Sequence, residues 1–288
     1  MNVKIITDSA CDLPRELIEE YEIDIIPIRV YDEMETEFFD GETLMPSDLF
    51  QKMRDGITFK TSLPSYESIK ETFMTYAKSE TPCIYLSFSS ELSGTFQSTL
   101  LVLNEIKEEL PSFDFAAIDT KCASIGQGLV VLKAAKLAKE GIGKEEIGKK
   151  IQNYATHMEH IFTVDDLQYL VRGGRVSKVA GFVGGLLNIK PILNVEDGKL
   201  IPLEKIRGTK KVYKRMTEIM EERGVDLRNQ IIGISHGDDL EAALALKELI
   251  KEKYGCEYFV INSIGAAIGA HSGPGTLALF FLNVVDDL

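Results

Sequence analysis

From residue 3 to residue 157, short apolar runs alternate with stretches of helical periodicity, and this alternation restricts the fold more than any other feature of the chain. VKIIT (3–7), CIYLSF (83–88) and FAAID (115–119) have the length and apolar content of buried strands. Between them lie helix starts: Asp12 before Leu13-Pro14, Ser47-Asp48, Ser65 and Ser93, whose side chains can accept from the free N–H groups of a first turn. Helices are expected over 66–78, from 93 to about 109, over 125–139 and over 144–157. DIIPIRV (24–30) reads as a further strand, which Pro27 confines to an edge or a bulge. Strands separated by helices require crossover connections, so the expectation is α/β, a parallel sheet with helices on both faces.

The texture changes near residue 158. A short strand (161–164) and a short helix (165–171) lead to Gly173-Gly174, and VSKVAGFVGGLL (176–187) is apolar and rich in small residues. Asp197-Gly198, set between 191–195 and 199–206, is a hairpin signal. A helix from Thr209, a strand at 230–235, a helix at 239–253 and a strand at 257–263 follow. A hairpin among βα units implies a mixed sheet. The 288 residues therefore suit two domains, an N-terminal α/β domain over 1–158 and a C-terminal mixed α/β domain over 159–288.

Charge and cysteine usage narrow the function. With 32 basic and 45 acidic side chains the net charge is −13, which argues against nucleic-acid binding and against docking on anionic lipid. No apolar run approaches the ~20 residues of a membrane-spanning helix, and the N-terminus lacks the pattern of a signal peptide. A cytoplasmic protein with no integral membrane segment is the expectation. Cys11, Cys83, Cys122 and Cys256 are too scattered for a disulfide framework or a thiolate metal site, and suit buried positions. His157-Met-Glu-His160 is not HExxH, and neither a Walker loop nor GxGxxG is present, so no metal and no cofactor are expected.

Hydroxyl-rich turns carry the strongest chemical signal. SFSSELSGT (87–95) sits between a strand and a helix, where hydroxyls and free backbone N–H groups suit an anion, although Ser93 could equally be capping its own helix. TSLPS (61–65) offers the same chemistry, and loops at the carboxyl ends of parallel strands can share one crevice. GAAIGAHSGPG (265–275) embeds His271 in a glycine-rich frame that permits close backbone approach. Arg172-Gly-Gly-Arg175 and Arg207-Gly208-Thr209 place guanidinium forks where carboxylate or phosphate could be held. Gly233-Ile-Ser235-His-Gly237 matches G-x-S-x-G, but little chain remains downstream for an acid and a histidine strand.

TDSACDLP (7–14), TSLPS (61–65), SSELSGT (89–95), DLQYLVRGGRVS (166–177), KPIL (190–193) and GAAIGAHSGPGT (265–276) together resemble the DegV family of bacterial fatty-acid-binding proteins. Departures are small: Thr120 stands where the family often has serine, and Ala278 where glycine is common. The resemblance implies two α/β domains with a fatty acid between them, its tail in the second. Thr61 and Ser93 would bond the carboxylate, with Ser62, the Gly94 amide and His271 as neighbours and Arg207 completing the polar network. It further implies a non-enzymatic carrier that presents a long-chain acid to a separate fatty acid kinase. The acyl phosphate then passes to an acyltransferase of phospholipid synthesis, and Arg172 and Arg175 would engage the kinase or steady the phosphate. Val179, Phe182, Val183, Leu186, Leu187, Phe280 and Leu282 are candidates for the acyl-chain pocket, or for ordinary core. The alternatives are a serine hydrolase or acyltransferase using Ser235 or Ser93 with His271, or a small polyol-binding protein with no apolar tunnel.

Overall fold

Where the sequence alternates, the chain crosses over, and the computed structural model describes residues 3–176 and 189–285. The first part runs β1 (Lys4–Asp8), α1 (Arg15–Glu20), β2 (Asp24–Ile26), β3 (Arg29–Tyr31), β4 (Glu37–Phe39), α2 (Pro46–Arg54), β5 (Lys60–Ser62), α3 (Tyr66–Lys78), β6 (Cys83–Ser87), α4 (Thr95–Glu109), β7 (Phe115–Asp119), α5 (Ile125–Lys139) and α6 (Lys144–Thr156). The second runs β8 (Met158–Thr163), α7 (Gln168–Gly173), β9 (Ile189–Glu196), β10 (Lys199–Arg207), α8 (Thr209–Arg223), β11 (Ile231–His236), α9 (Leu240–Tyr254), β12 (Tyr258–Ser263), α10 (Ala266–Ser272) and β13 (Leu277–Leu282).

Strands β2-β1-β6-β7 form a parallel sheet in that order. Helices α3 and α4 pack Ile69, Phe73, Leu103 and Ile106 against Ile6 and Tyr85 on one face, while α5 and α6 bury the other face over Ile5, Ile84 and Leu86. The second sheet is mixed, in the order β10-β9-β8-β13-β11-β12, with only β11 and β12 parallel. Helices α8 and α9 cover its outer face through Val212, Met216, Ile219, Ala243 and Leu246. The fold class expected from the sequence, a parallel α/β sheet followed by a mixed one, is the fold observed.

Helix α5 belongs to both sheets, touching β1 and β6 on one side and β8, β11, β12 and β13 on the other. Such a helix must be apolar all round, and IGQGLVVLKAAKLAK is buried along nearly its whole length. Its glycines set the approach. A Cβ on Gly126 would collide with the His160 ring and with Phe280, and one on Gly128 with the Cys11 carbonyl.

Several local expectations are corrected, each for a tertiary reason. Pro27 has no N–H for a ladder, so 24–30 is two strands: β2 joins the parallel sheet, and β3 turns away into a small antiparallel sheet, β4-β3-β5. Thr61 and Ser62 consequently lie on an edge strand and not in a loop. Helix α2 starts at Pro46 in the first turn, with Met45 and no side-chain cap before it. Ser93 does not cap α4, which begins at Thr95; its hydroxyl accepts from the Thr95 N–H at 3.3 Å two residues on. The glycine-rich stretch from 265 contains α10 instead of a continuous loop, and LALFFL after it is the central strand β13. Ser65 caps α3 as expected, and Asp239, expected as the first residue of its helix, caps α9. All four cysteines are free and buried.

Candidate functional site

Strand order determines where loops can meet. Because β2 and β6 flank β1 on opposite sides, the segments leaving the carboxyl ends of β1 and β6 diverge and open a crevice there. Those segments are Ser9–Leu13, which carries Asp12, and Phe88–Gly94, which carries three serines. Helix α10 and the inner face of the six-stranded sheet close over the crevice, leaving a cavity of about 300 Å³. Ligand pockets commonly span ~300–1,000 Å³, so the space is of ligand size.

One part of its wall is polar. Thr61 Oγ1 and His271 Nε2 are 2.7 Å apart, joining the edge strand β5 to the last turn of α10. Burial and the nearby Arg175 charge lower His271 to about 4, so the ring is neutral near pH 7. Its other face lies on Gly173, where a Cβ would strike the Nδ1 edge, which explains a glycine in the RGGR segment at that position. Arg175 is half-buried, donates from Nε to the Leu92 carbonyl at 3.2 Å and bonds the Gly173 carbonyl through Nη1. Among the described residues no carboxylate pairs with it. Ser93 and Gly94 follow Leu92 in the same wall, and Gly94 lies against the Leu63 side chain. Ser62 is there too, its hydroxyl accepting from Arg29 at 3.3 Å.

The remaining wall is mainly apolar: Phe88, Leu92, Phe162, Leu170, Val195, Leu200, Ala278 and Phe280. Strands β8, β9, β10 and β13 supply most of it, so the inner face of the mixed sheet is the floor. Phe280, singled out from the sequence, lines the cavity. Leu282 does not; it is buried in the core between α5 and the sheet. Arg207 ends β10 on the exposed surface, outside the cavity wall. Val179, Phe182, Val183, Leu186 and Leu187 lie outside the described residues.

A second cavity, about 240 Å³, shares Thr61, Arg175 and His271 with the first and adds Lys60, Arg172, Tyr169 and Phe59. The Thr61–His271 pair and Arg175 therefore stand between an apolar chamber and a cationic vestibule. Arg172 is exposed there, its guanidinium 4.8 Å from the Tyr169 ring centroid.

A set of buried aspartates, none of them expected at the site, holds this arrangement in place. Asp12 was expected to cap α1, but its Oδ1 instead accepts the Gly265 N–H at 2.8 Å, while Asp40 Oδ1 accepts the Ala266 N–H at 2.6 Å. Both carboxyls thus meet the start of α10, the helix that delivers His271, where the dipole favours negative charge. Burial nevertheless raises them, Asp40 to about 6 and Asp12 well above the ordinary range. Asp8 accepts from the Phe88 N–H at 2.9 Å, Tyr85 Oη at 3.1 Å and Gln127 Nε2 at 3.1 Å, which fixes the turn leading to Ser93. The available signal was two aspartates beside an apolar strand in TDSACDLP, acids that a buried segment tolerates only with partners.

The geometry has little in common with a hydrolase. Ser235 lies within strand β11, not on a sharp strand-to-helix turn, and its hydroxyl neighbour is Ser124 Oγ at 2.8 Å. His271 is engaged by Thr61. His160, lowered by burial to about 4, holds the Met158 carbonyl with Nδ1 at 3.0 Å and accepts the Ala123 N–H with Nε2 at 3.2 Å. Neither histidine is within hydrogen-bond reach of Ser93 or Ser235 in the described contacts. Among the described residues no three His, Cys, Asp or Glu converge as metal ligands, and no helix is long and apolar enough to cross a membrane.

Residues 2–284 match the family model described as "Uncharacterised protein, DegV family". A DegV domain-containing protein of Clostridium perfringens is 40% identical over 281 residues, covering 96% of each chain. Among solved structures, a DegV family protein from Thermus thermophilus, described for its fatty acid binding, superposes with a TM-score of 0.88 at 30% identity, covering 97% of this chain and 99% of that one. A stearic-acid-binding protein from Eubacterium ventriosum gives a TM-score of 0.88 at 26% identity, over 98% and 99% of the two chains.

Proposed function

Because this chain belongs to the DegV family, we propose that it carries one long-chain fatty acid in the cavity between its sheets and presents the carboxylate to a fatty acid kinase. The observation that carries the reading is the half-buried Arg175, with no carboxylate partner among the described residues, beside hydroxyls and a neutral histidine in an otherwise apolar chamber. A buried cation calls for an anion, and an apolar chamber calls for a hydrocarbon; a fatty acid supplies both. Thr61, Ser93, the Gly94 amide and His271 are the carboxylate donors in this reading, with Ser62 adjacent. Arg207, exposed at the end of β10, would act from outside the chamber. The acyl chain runs over Phe162, Leu200 and Phe280, each buried methylene adding ~0.8 kcal/mol.

The cationic vestibule gives the headgroup a way out. A γ-phosphoryl group transferred from ATP to the carboxylate oxygen would leave ADP and an acyl phosphate, whose added charge would face Arg172, Arg175 and Lys60. In this reading the kinase supplies the machinery of phosphoryl transfer and the protein is the carrier, with an acyltransferase of phospholipid synthesis as the expected recipient. With stearic acid bound, the organism's fatty acid kinase and ATP should yield stearoyl phosphate. Arg172→Ala should slow that transfer at least about tenfold, the scale of one charge-assisted contact, and leave stearic acid affinity unchanged. Unaltered transfer in Arg172→Ala would remove the vestibule from the reaction, and no transfer with the unmodified chain would leave a lipid binder without a kinase.

A further inference from the structure

Serine hydroxyls that have no role in the carboxylate clamp also interrupt the apolar wall. Ser124 and Ser235 come from different parts of the chain, the turn before α5 and strand β11, yet their Oγ atoms are 2.8 Å apart in the cavity wall. Ser124 also bonds the Asp12 carboxyl. Its backbone has φ 53° and ψ −143°, a region that glycine occupies freely and a Cβ-bearing residue enters only under strain. A glycine there would relieve the strain and lose the hydroxyl. Ser235 faces the cavity from the middle of a buried sheet, where alanine would pack as well. Ser272, on the α10 face that also bears Ile268 and His271, is 5% exposed, lines the same cavity, and its hydroxyl has no partner among the described residues.

We propose that these serines form a second polar subsite that receives a hydroxyl group borne on the acyl chain, so that the preferred ligand class includes hydroxylated long-chain fatty acids. The inference rests on the fatty-acid reading above. Its chemistry follows from the hydrogen-bond inventory. Asp12 Oδ1 is committed to the Gly265 N–H, and Oδ2 accepts from the Ser124 hydroxyl. Ser124 Oγ, 2.8 Å away, is the one partner of the Ser235 hydroxyl among the described contacts, so at least one Ser235 lone pair stays free toward the cavity. That lone pair, together with the unpartnered Ser272 hydroxyl, matches a group able both to donate and to accept. An alkyl hydroxyl does so; a methylene leaves the Ser272 hydroxyl without a partner.

The test is equilibrium binding of delipidated protein to stearic acid and to its 2-, 3-, 10- and 12-hydroxy derivatives. One positional isomer should bind about three- to tenfold tighter than stearic acid, and the others weaker, because a hydroxyl buried elsewhere has no partner. Ser235→Ala and, separately, Ser272→Ala should erase that preference while stearic acid itself binds within about twofold of the unmodified protein, as removal of a hydroxyl from an apolar contact allows. If every hydroxylated isomer binds more weakly than stearic acid, or if the preference survives both variants, the subsite does not exist. If neither stearic acid nor any derivative binds, the fatty-acid reading fails and takes this one with it.

Discussion

Alanine at both Thr61 and Ser93 should lower the affinity for stearic acid by about two to four orders of magnitude, since hydrogen bonds to a charged group contribute roughly 1.5–3 kcal/mol each. Arg175 and the Gly94 amide remain to hold the carboxylate, so binding is weakened and not abolished. The fold should survive. Thr61 lies on a three-residue edge strand, and the Ser93 hydroxyl makes only local contacts to Thr95. Isothermal titration of delipidated protein checks the affinity, and thermal unfolding without ligand checks the fold. Wild-type affinity in the double variant would exclude both residues from the site.

Ala278→Phe should act on the other end of the ligand. Ala278 is the second residue of β13, between Phe162 on β8 and Ser235 on β11, and lines the cavity. A phenyl group there projects into about 300 Å³ that the acyl chain needs. If four methylenes are displaced at ~0.8 kcal/mol each, the long-chain acid loses about 3 kcal/mol, or roughly a hundredfold in affinity. Octanoic acid, too short to reach the obstruction, should bind as before. Equal losses for octanoic and stearic acid would mean that the chain does not run along this floor, and a loss of stability of more than about 3 kcal/mol would mean that the ring had not entered the cavity.

Much of the fold was legible because its larger elements obey local rules. The apolar runs at β6 and β7, the Asp197-Gly198 turn between β9 and β10, and the caps at Ser65 and Asp239 each report their own structure. What escaped the sequence is what depends on distant partners. Helix α10 looks like a glycine-rich loop until Asp12 and Asp40 supply acceptors for its first N–H groups from more than two hundred residues away. The small sheet β4-β3-β5 has strands of three residues, too short to show a period. Ser124, strained and wired to Asp12, carries no sequence mark beyond being a serine near a helix start.

The site was legible to a similar degree. Thr61, Ser62, Ser93, Gly94, Arg175, His271 and Phe280, spread across 220 positions, line one cavity. Arg207 and Leu282 do not, because the last residue of β10 points to solvent and the last residue of β13 is swallowed by the core. Side-chain type identified the chemistry, but register along a strand decided which residues could take part.

The central claim, that this chain binds one fatty acid, is tested most directly by a native mass spectrum of the purified protein followed by extraction and identification of whatever is released. The account predicts a single adduct with the mass of one long-chain fatty acid, with stearic acid restoring it after delipidation. A spectrum showing only the bare chain, and no uptake when stearic acid is added back, would contradict it.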